Sequence, residues 1–199
     1  MSDLIKRIEQ NRFVGREFLL WVWFESVLFE TNLAPVGHDG KTPRQPGCAL
    51  WLETRMTLAF EKDESLLKTA TPGAAAEARE ALRQGKLPRE ARLRMVTGDR
   101  EYAWMFKADT LALGGLTIPA ELDAKKDEVH EVLYERMRLV EALEATLAAL
   151  WSDFLALRLS QAWATVVLPA LGRFAHDEEI DEAAYTSAKQ RLLGKKTPR

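Results

Sequence analysis

The chain has 199 residues and a mass of 22.5 kDa, and its 47% apolar content is enough to bury a core, which excludes wholesale disorder. Its 28 Lys+Arg against 30 Asp+Glu give a formal charge of −2, which excludes a protein that grips nucleic acid or membrane by bulk positive charge. Cys48 is the only cysteine, so neither an intrachain disulfide nor a multi-cysteine zinc site is possible.

The first residues carry an acid where a signal peptide is basic. The longest early apolar run, Phe18 to Phe24, falls far short of the ~20 residues needed to span a bilayer, so a cytoplasmic location is expected. Phe13, Phe18, Leu19, Trp21, Val22, Phe24, Leu28 and Phe29 cover most of a helix circumference, leaving Glu17, Glu25, Ser26 and Glu30 on a narrower polar side. This helix should be buried on more than one side. Asn32 to Gly47, rich in proline and glycine, reads as a loop.

From Cys48 to Pro119 the pattern is that of strands with one helix among them. Leu50, Leu52, Thr54, Met56, Leu58 and Phe60 alternate with Trp51, Glu53, Arg55, Thr57 and Ala59, a period of two. A short strand is expected around Leu66 to Thr69. Thr71-Pro72-Gly73 then opens an alanine-rich helix that ends at Gly85. Ala91, Leu93 and Met95 alternate on one side of Gly98-Asp99, and Tyr102, Trp104 and Phe106 on the other, which makes a hairpin. Thr110 to Ile118 forms a last run broken by Gly114-Gly115. From Asp123 the chain turns helical. Leu133, Val140, Leu147 and Phe154 recur every seven residues beside Met137, Leu143, Leu150 and Leu157, an a/d-like seam that Pro169 and Gly172 should end or kink. An acidic stretch, Asp177 to Glu182, leads into a short helix and a basic tail from Lys189 to Arg199.

Motifs that carry chemistry are scarce. There is no GxSxG, P-loop, HExxH or CxxC, and neither catalytic residues nor a cofactor are expected. Asp127 and His130 share a helix face, but a carboxylate–histidine metal site needs two such pairs and further carboxylates, so His130 reads as a solvated residue. The run His176 to Glu179 is contiguous, whereas a cation loop needs spaced ligands, so it reads as linker and no metal site is expected. Charge is segregated. Arg83, Lys86, Arg89, Arg92, Arg94, Arg100 and Lys107 face only Glu90, Asp99 and Glu101 in the same window, a local net of +4. Glu121 to Glu144 carries eight acids against four bases. A basic strand face with Arg92 and Arg94 on one side suits a phosphate backbone; the alternative, which charge alone favours, is a solvated face paired with the acidic helix. Trp51 and Trp104 on strands could stack on bases, or pack within the sheet.

The segment Phe13 to Ser26, with Gly15-Arg-Glu-Phe-Leu-Leu-Trp-Val-Trp-Phe24, resembles the "LGREFLTWLWYKSE"-type segment of the RdgC recombination-associated family. Glu77 to Lys86 is similar to that family's helix ending in "AGK". Ala91 to Met95 with Tyr102 to Phe106 is similar to its hairpin, and Leu111 to Pro119 to its "LKRLKF" strand. The likeness spans roughly Phe13 to Pro119, with Leu133 to Met137 as a further echo. The resemblance implies non-enzymatic, sequence-independent binding of duplex DNA by a dimer that restrains strand exchange, hence a nucleoid-associated location. The family's N-terminal half, which helps close a ring around DNA, has no counterpart in these 199 residues.

The expected fold is α+β: a small antiparallel sheet packed on an N-terminal helix and a long C-terminal helix. Residues 1–122 form the helix-plus-sheet domain, 123–175 a long helical segment, and 176–199 an acidic linker, short helix and basic tail. The candidate DNA contacts are Lys86, Arg89, Arg92, Arg94 and Arg100. The candidate homodimer interface is Leu133, Val140, Leu143, Leu147, Leu150 and Phe154, because the seam outruns what the first helix can cover. A helical hairpin with the segment after Asp181 is the intramolecular alternative. The alternative function is a protein-interaction module that assembles through the long helix and touches neither nucleic acid nor membrane.

Overall fold

Alternation of apolar and polar residues builds the sheet. The computed structural model describes residues 4, 5, 8, 14–29 and 48–193. The loop expected from Asn32 to Gly47 and the tail residues Lys195, Lys196 and Arg199 lie outside them. Five strands, β1 (Cys48–Phe60), β2 (Asp63–Leu67), β3 (Leu87–Thr97), β4 (Arg100–Lys107) and β5 (Ala112–Thr117), pair antiparallel in the order β2-β1-β3-β4-β5. One face is apolar: Leu50, Leu52, Met56 and Leu58 of β1, Ala91, Leu93 and Met95 of β3, and Tyr102, Trp104 and Phe106 of β4 are buried. The phase of β1 survives a register shift between Glu53 and Met56, where Thr54 takes φ 46°. The opposite face, with Trp51, Glu53, Arg92, Arg94 and Met105, stays half-exposed among the described residues.

Helix α1 (Val14–Leu28) packs on the apolar face and is buried from Phe18 through Glu25, so its apolar circumference is used on all sides. Phe18 meets Phe106 of β4 at 5.6 Å, ring centroid to centroid. A 3₁₀ turn, Pro72–Ala74, precedes α2 (Ala76–Arg83), and the Gly73 carbonyl accepts from Trp23 Nε1 at 3.0 Å.

The long helix α3 (Val129–Arg158) has 30 residues, a length of about 45 Å. The sequence points to Pro169 and Gly172 as its end, but the chain breaks earlier, at Leu159 and Ser160, where Ser160 Oγ donates to the Leu157 carbonyl at 2.7 Å. Beyond an 88° bend, a π-helical turn (Trp163–Val167) runs into α4 (Leu168–Ala175). Pro169 stands in the first turn of α4, where its missing N–H costs nothing, so it starts a helix rather than ending one. The last helix, α5 (Glu182–Leu193), opens with Asp181 Oδ1 accepting from Ala184 N at 2.8 Å. It returns to pack on α3 and the π turn, the hairpin alternative of the sequence. The fold is therefore α+β, with α1 sandwiched between the sheet and the C-terminal helices. Among the described residues no single helix is long and apolar enough to cross a membrane.

Candidate interaction surfaces

Strand register decides what the basic residues meet. Glu53 of β1 lies opposite Arg92 of β3, and Trp51 opposite Arg94. Arg92 Nε therefore reaches Glu53 Oε2 at 3.8 Å, and Arg94 Nη1 reaches Glu53 Oε1 at 3.6 Å. Arg94 Nη2 also donates to Glu101 Oε2 at 2.6 Å, and this bond raises the Arg94 pKa further. The Arg94 guanidinium lies 5.3 Å from the Trp51 ring centroid. Arg89 Nε donates to Asp109 Oδ2 at 3.1 Å, and its Nη1 to Glu64. Lys86 is buried, with Nζ on Ser65 Oγ at 2.9 Å and Asp63 Oδ2 at 2.9 Å. Arg100 is exposed at the β3–β4 turn and pairs with no carboxylate among the described residues.

Four of the five candidate phosphate contacts are thus paired, and with acids of the sheet and its turns rather than with the acidic helix. Arg55, Arg89 and Lys107 line a polar cleft of about 340 Å³ together with Glu64, Glu90 and Asp109, an even balance of charge. Asp109 is the anchor there. Arg16 of α1 grips it with both Nε (2.5 Å) and Nη2 (2.9 Å), and that guanidinium holds its carboxyl below the usual range.

The seam residues divide along α3. Leu143, Leu150, Phe154 and Leu157 are buried, joined by Val132 and Leu139, which the heptad reading leaves out. Val140, Leu147 and Trp151 are half-buried. Val129 (78%), Leu133 (57%), Tyr134 (65%) and Met137 (52%) are exposed. The outer row is continuous, since Val129, Leu133, Met137, Val140, Glu144, Leu147 and Trp151 follow steps of three and four. It runs into a cleft of about 320 Å³ lined by Phe18, Phe106, Leu111, Leu113, Leu147 and Trp151, with Glu144 at its margin.

Of the three buried carboxylates among the described residues, Glu17, Glu25 and Asp153, the first two lie on α1. Glu17 Oε2 accepts from Arg158 Nε at 2.5 Å while its Oε1 has no partner among the described residues. Burial pushes the Glu17 carboxyl up, and Arg158 pulls back against it. Glu25 Oε1 accepts from Tyr185 at 2.6 Å and Oε2 from Lys189 at 2.7 Å. The polar side of α1 was visible in its periodicity, but no local spacing points to partners on α3 and α5. His130 and His176 are exposed, Cys48 is buried, and burial pushes its thiol up. Among the described residues no group of three His, Cys, Asp or Glu is arranged to hold a metal ion. No protein-family model and no curated protein matches this sequence.

Proposed function

We propose that this protein is a non-catalytic interaction module that binds another polypeptide chain along the outer face of α3. The observation that supports it is the cluster of Val129, Leu133, Tyr134 and Met137, four large apolar side chains exposed within the first turns of one helix. Left in water, such side chains forgo ~1.5–3 kcal/mol each. A photoreactive amino acid placed at Leu133 should give a discrete cross-linked adduct in cells, while the same probe at exposed Glu77 of α2 should not. No adduct, or the same adducts from both positions, overturns the reading.

A second reading, binding of duplex DNA as the RdgC resemblance implies, is favoured by the half-exposed sheet face. Arg92 and Arg94 stand at its centre, Trp51 lies under Arg94, and Arg100 is without a carboxylate partner among the described residues. Phosphates would have to displace Glu53 and Glu101. Fluorescence anisotropy at rising salt tests this: log K should fall with a slope near −0.9 per phosphate contacted, and Arg92→Ala with Arg94→Ala should flatten it. Flat, weak binding at low salt that the double variant leaves unchanged counts against DNA.

A further inference from the structure

Resting on the interaction reading, we propose that the occupant of the α3 face is a second copy of this chain, packed antiparallel about a two-fold axis at Val140. Three observations converge on it. The first is shape. One end of the apolar row projects into solvent at Leu133 and Met137, and the other ends in the cleft formed by Leu147, Trp151, Phe18, Phe106, Leu111 and Leu113. A surface with a projection at one end and a recess at the other is complementary to itself only when turned end for end.

The second is spacing. Leu133 and Leu147 are equidistant from Val140, and so are Val129 and Trp151. The antiparallel arrangement therefore sets exposed Val129 and Leu133 of one copy against half-buried Trp151 and Leu147 of the other, along a row of about 33 Å. A parallel arrangement would stack exposed on exposed and leave both clefts unfilled.

The third is charge. Arg136 lies four residues before Val140 and Glu144 four residues after it, and both are exposed. Turning one copy end for end faces Arg136 with Glu144 twice per dimer. A parallel pair would face Arg136 with Arg136 and Glu144 with Glu144. Among the described residues Glu144 is also the one carboxylate at the cleft, so the cation arrives where the acid waits.

Disulfide trapping of the full chain separates the possibilities. Helices packed about 8–10 Å apart bring Val140 of the two copies within disulfide reach at the axis, so Val140→Cys alone should give a species of twice 22.5 kDa under mild oxidation. Leu133→Cys alone should not, because its mate lies about 20 Å away along the helix. Leu133→Cys combined with Leu147→Cys should cross-link. Ready cross-linking of Leu133→Cys alone means parallel packing and overturns the proposal, as does failure of Val140→Cys to link.

Sedimentation of charge variants gives a second measure on side chains that are exposed in the monomer. Arg136→Glu and Glu144→Arg should each weaken dimerisation roughly tenfold, and the two together should restore it. A monomer throughout the micromolar range also overturns the proposal. In that case an adduct of the Leu133 probe with a different polypeptide leaves the interaction reading standing, and absence of any adduct removes both.

Discussion

Glu17 places a carboxylate where α1 is enclosed, with 1% of its surface exposed and one oxygen unpartnered among the described residues. Its partner Arg158 keeps about a third of its side chain in water and lies 5.1 Å from the Trp163 ring, so it does not depend on Glu17 for solvation. Desolvation therefore wins at Glu17, and its folded pKa stands above the unfolded value near ~4.3. The native state holds a proton that the unfolded chain has released, so stability falls as pH rises from the ordinary carboxylate range through the folded pKa. Glu17→Gln keeps an acceptor for Arg158 and removes the buried charge. It should stabilise the protein by about 1 kcal/mol above that window, with the gain shrinking as the solution is acidified. Urea unfolding at stepped pH measures both. A loss of stability at neutral pH, or a gain that does not vary with pH, contradicts this account. The periodicity of α1 showed that Glu17 lies on a narrow polar side, but not that this side is buried: its partner is 141 residues away. The same blindness affects the arginines. A linear window counts charge along the chain, whereas strand pairing brought Glu53 beside Arg92 and Arg94.

At the scale of elements, α1 is docked onto the β4–β5 turn by contact and by charge. Arg16 clamps Asp109, and Gly15 presses so closely on the turn that an added Cβ would lie 2.0 Å from the Ala108 carbonyl oxygen. Helix propensity alone says that Gly15→Ala should stabilise by ~1 kcal/mol. The contact says the opposite. The obstacle is backbone, so the helix must lift from the turn and strain the Arg16–Asp109 pair. A loss of about 3 kcal/mol is expected in chemical denaturation, and a gain would mean that the turn yields freely. The strands were legible because one buried face imposes a period of two. The end of α3 was not, because no proline or glycine marks Leu159 and Ser160: the 88° bend there follows from capping by Ser160 and from packing beyond it. The seam was half legible. Two apolar rows lie side by side on α3, and periodicity cannot say which one meets the core. Contacts with α1 and α5 select the row of Leu139, Leu143 and Leu150, leaving Leu133 and Met137 beside it.

Across the whole molecule, α5 closes on α1. Tyr185 of α5 is buried between Phe24, at 5.1 Å, and Phe29, at 5.9 Å, and its hydroxyl joins two groups of α1: it accepts from Trp21 Nε1 at 2.9 Å and donates to Glu25 Oε1 at 2.6 Å, while Lys189 reaches Glu25 Oε2 at 2.7 Å. Glu25 is fully buried, so both of its oxygens depend on α5 for hydrogen bonds. Closure therefore matters more than the short helix would suggest, since release of α5 strands a carboxylate and an indole N–H inside α1. Tyr185→Phe keeps the ring and its packing but removes the hydroxyl. It leaves Trp21 Nε1 and Glu25 Oε1 without partners, for an expected cost of about 2–3 kcal/mol. Because α5 also covers the inner row of α3, the loss should appear first as faster amide exchange across 182–193 and along the α3 turns it touches, ahead of exchange in the sheet. Exchange mass spectrometry on the wild type and the variant reads this order directly. Uniform acceleration throughout the chain would mean that the closure is part of one cooperative unit. An unchanged profile would mean that the hydroxyl contributes nothing to holding the two ends together.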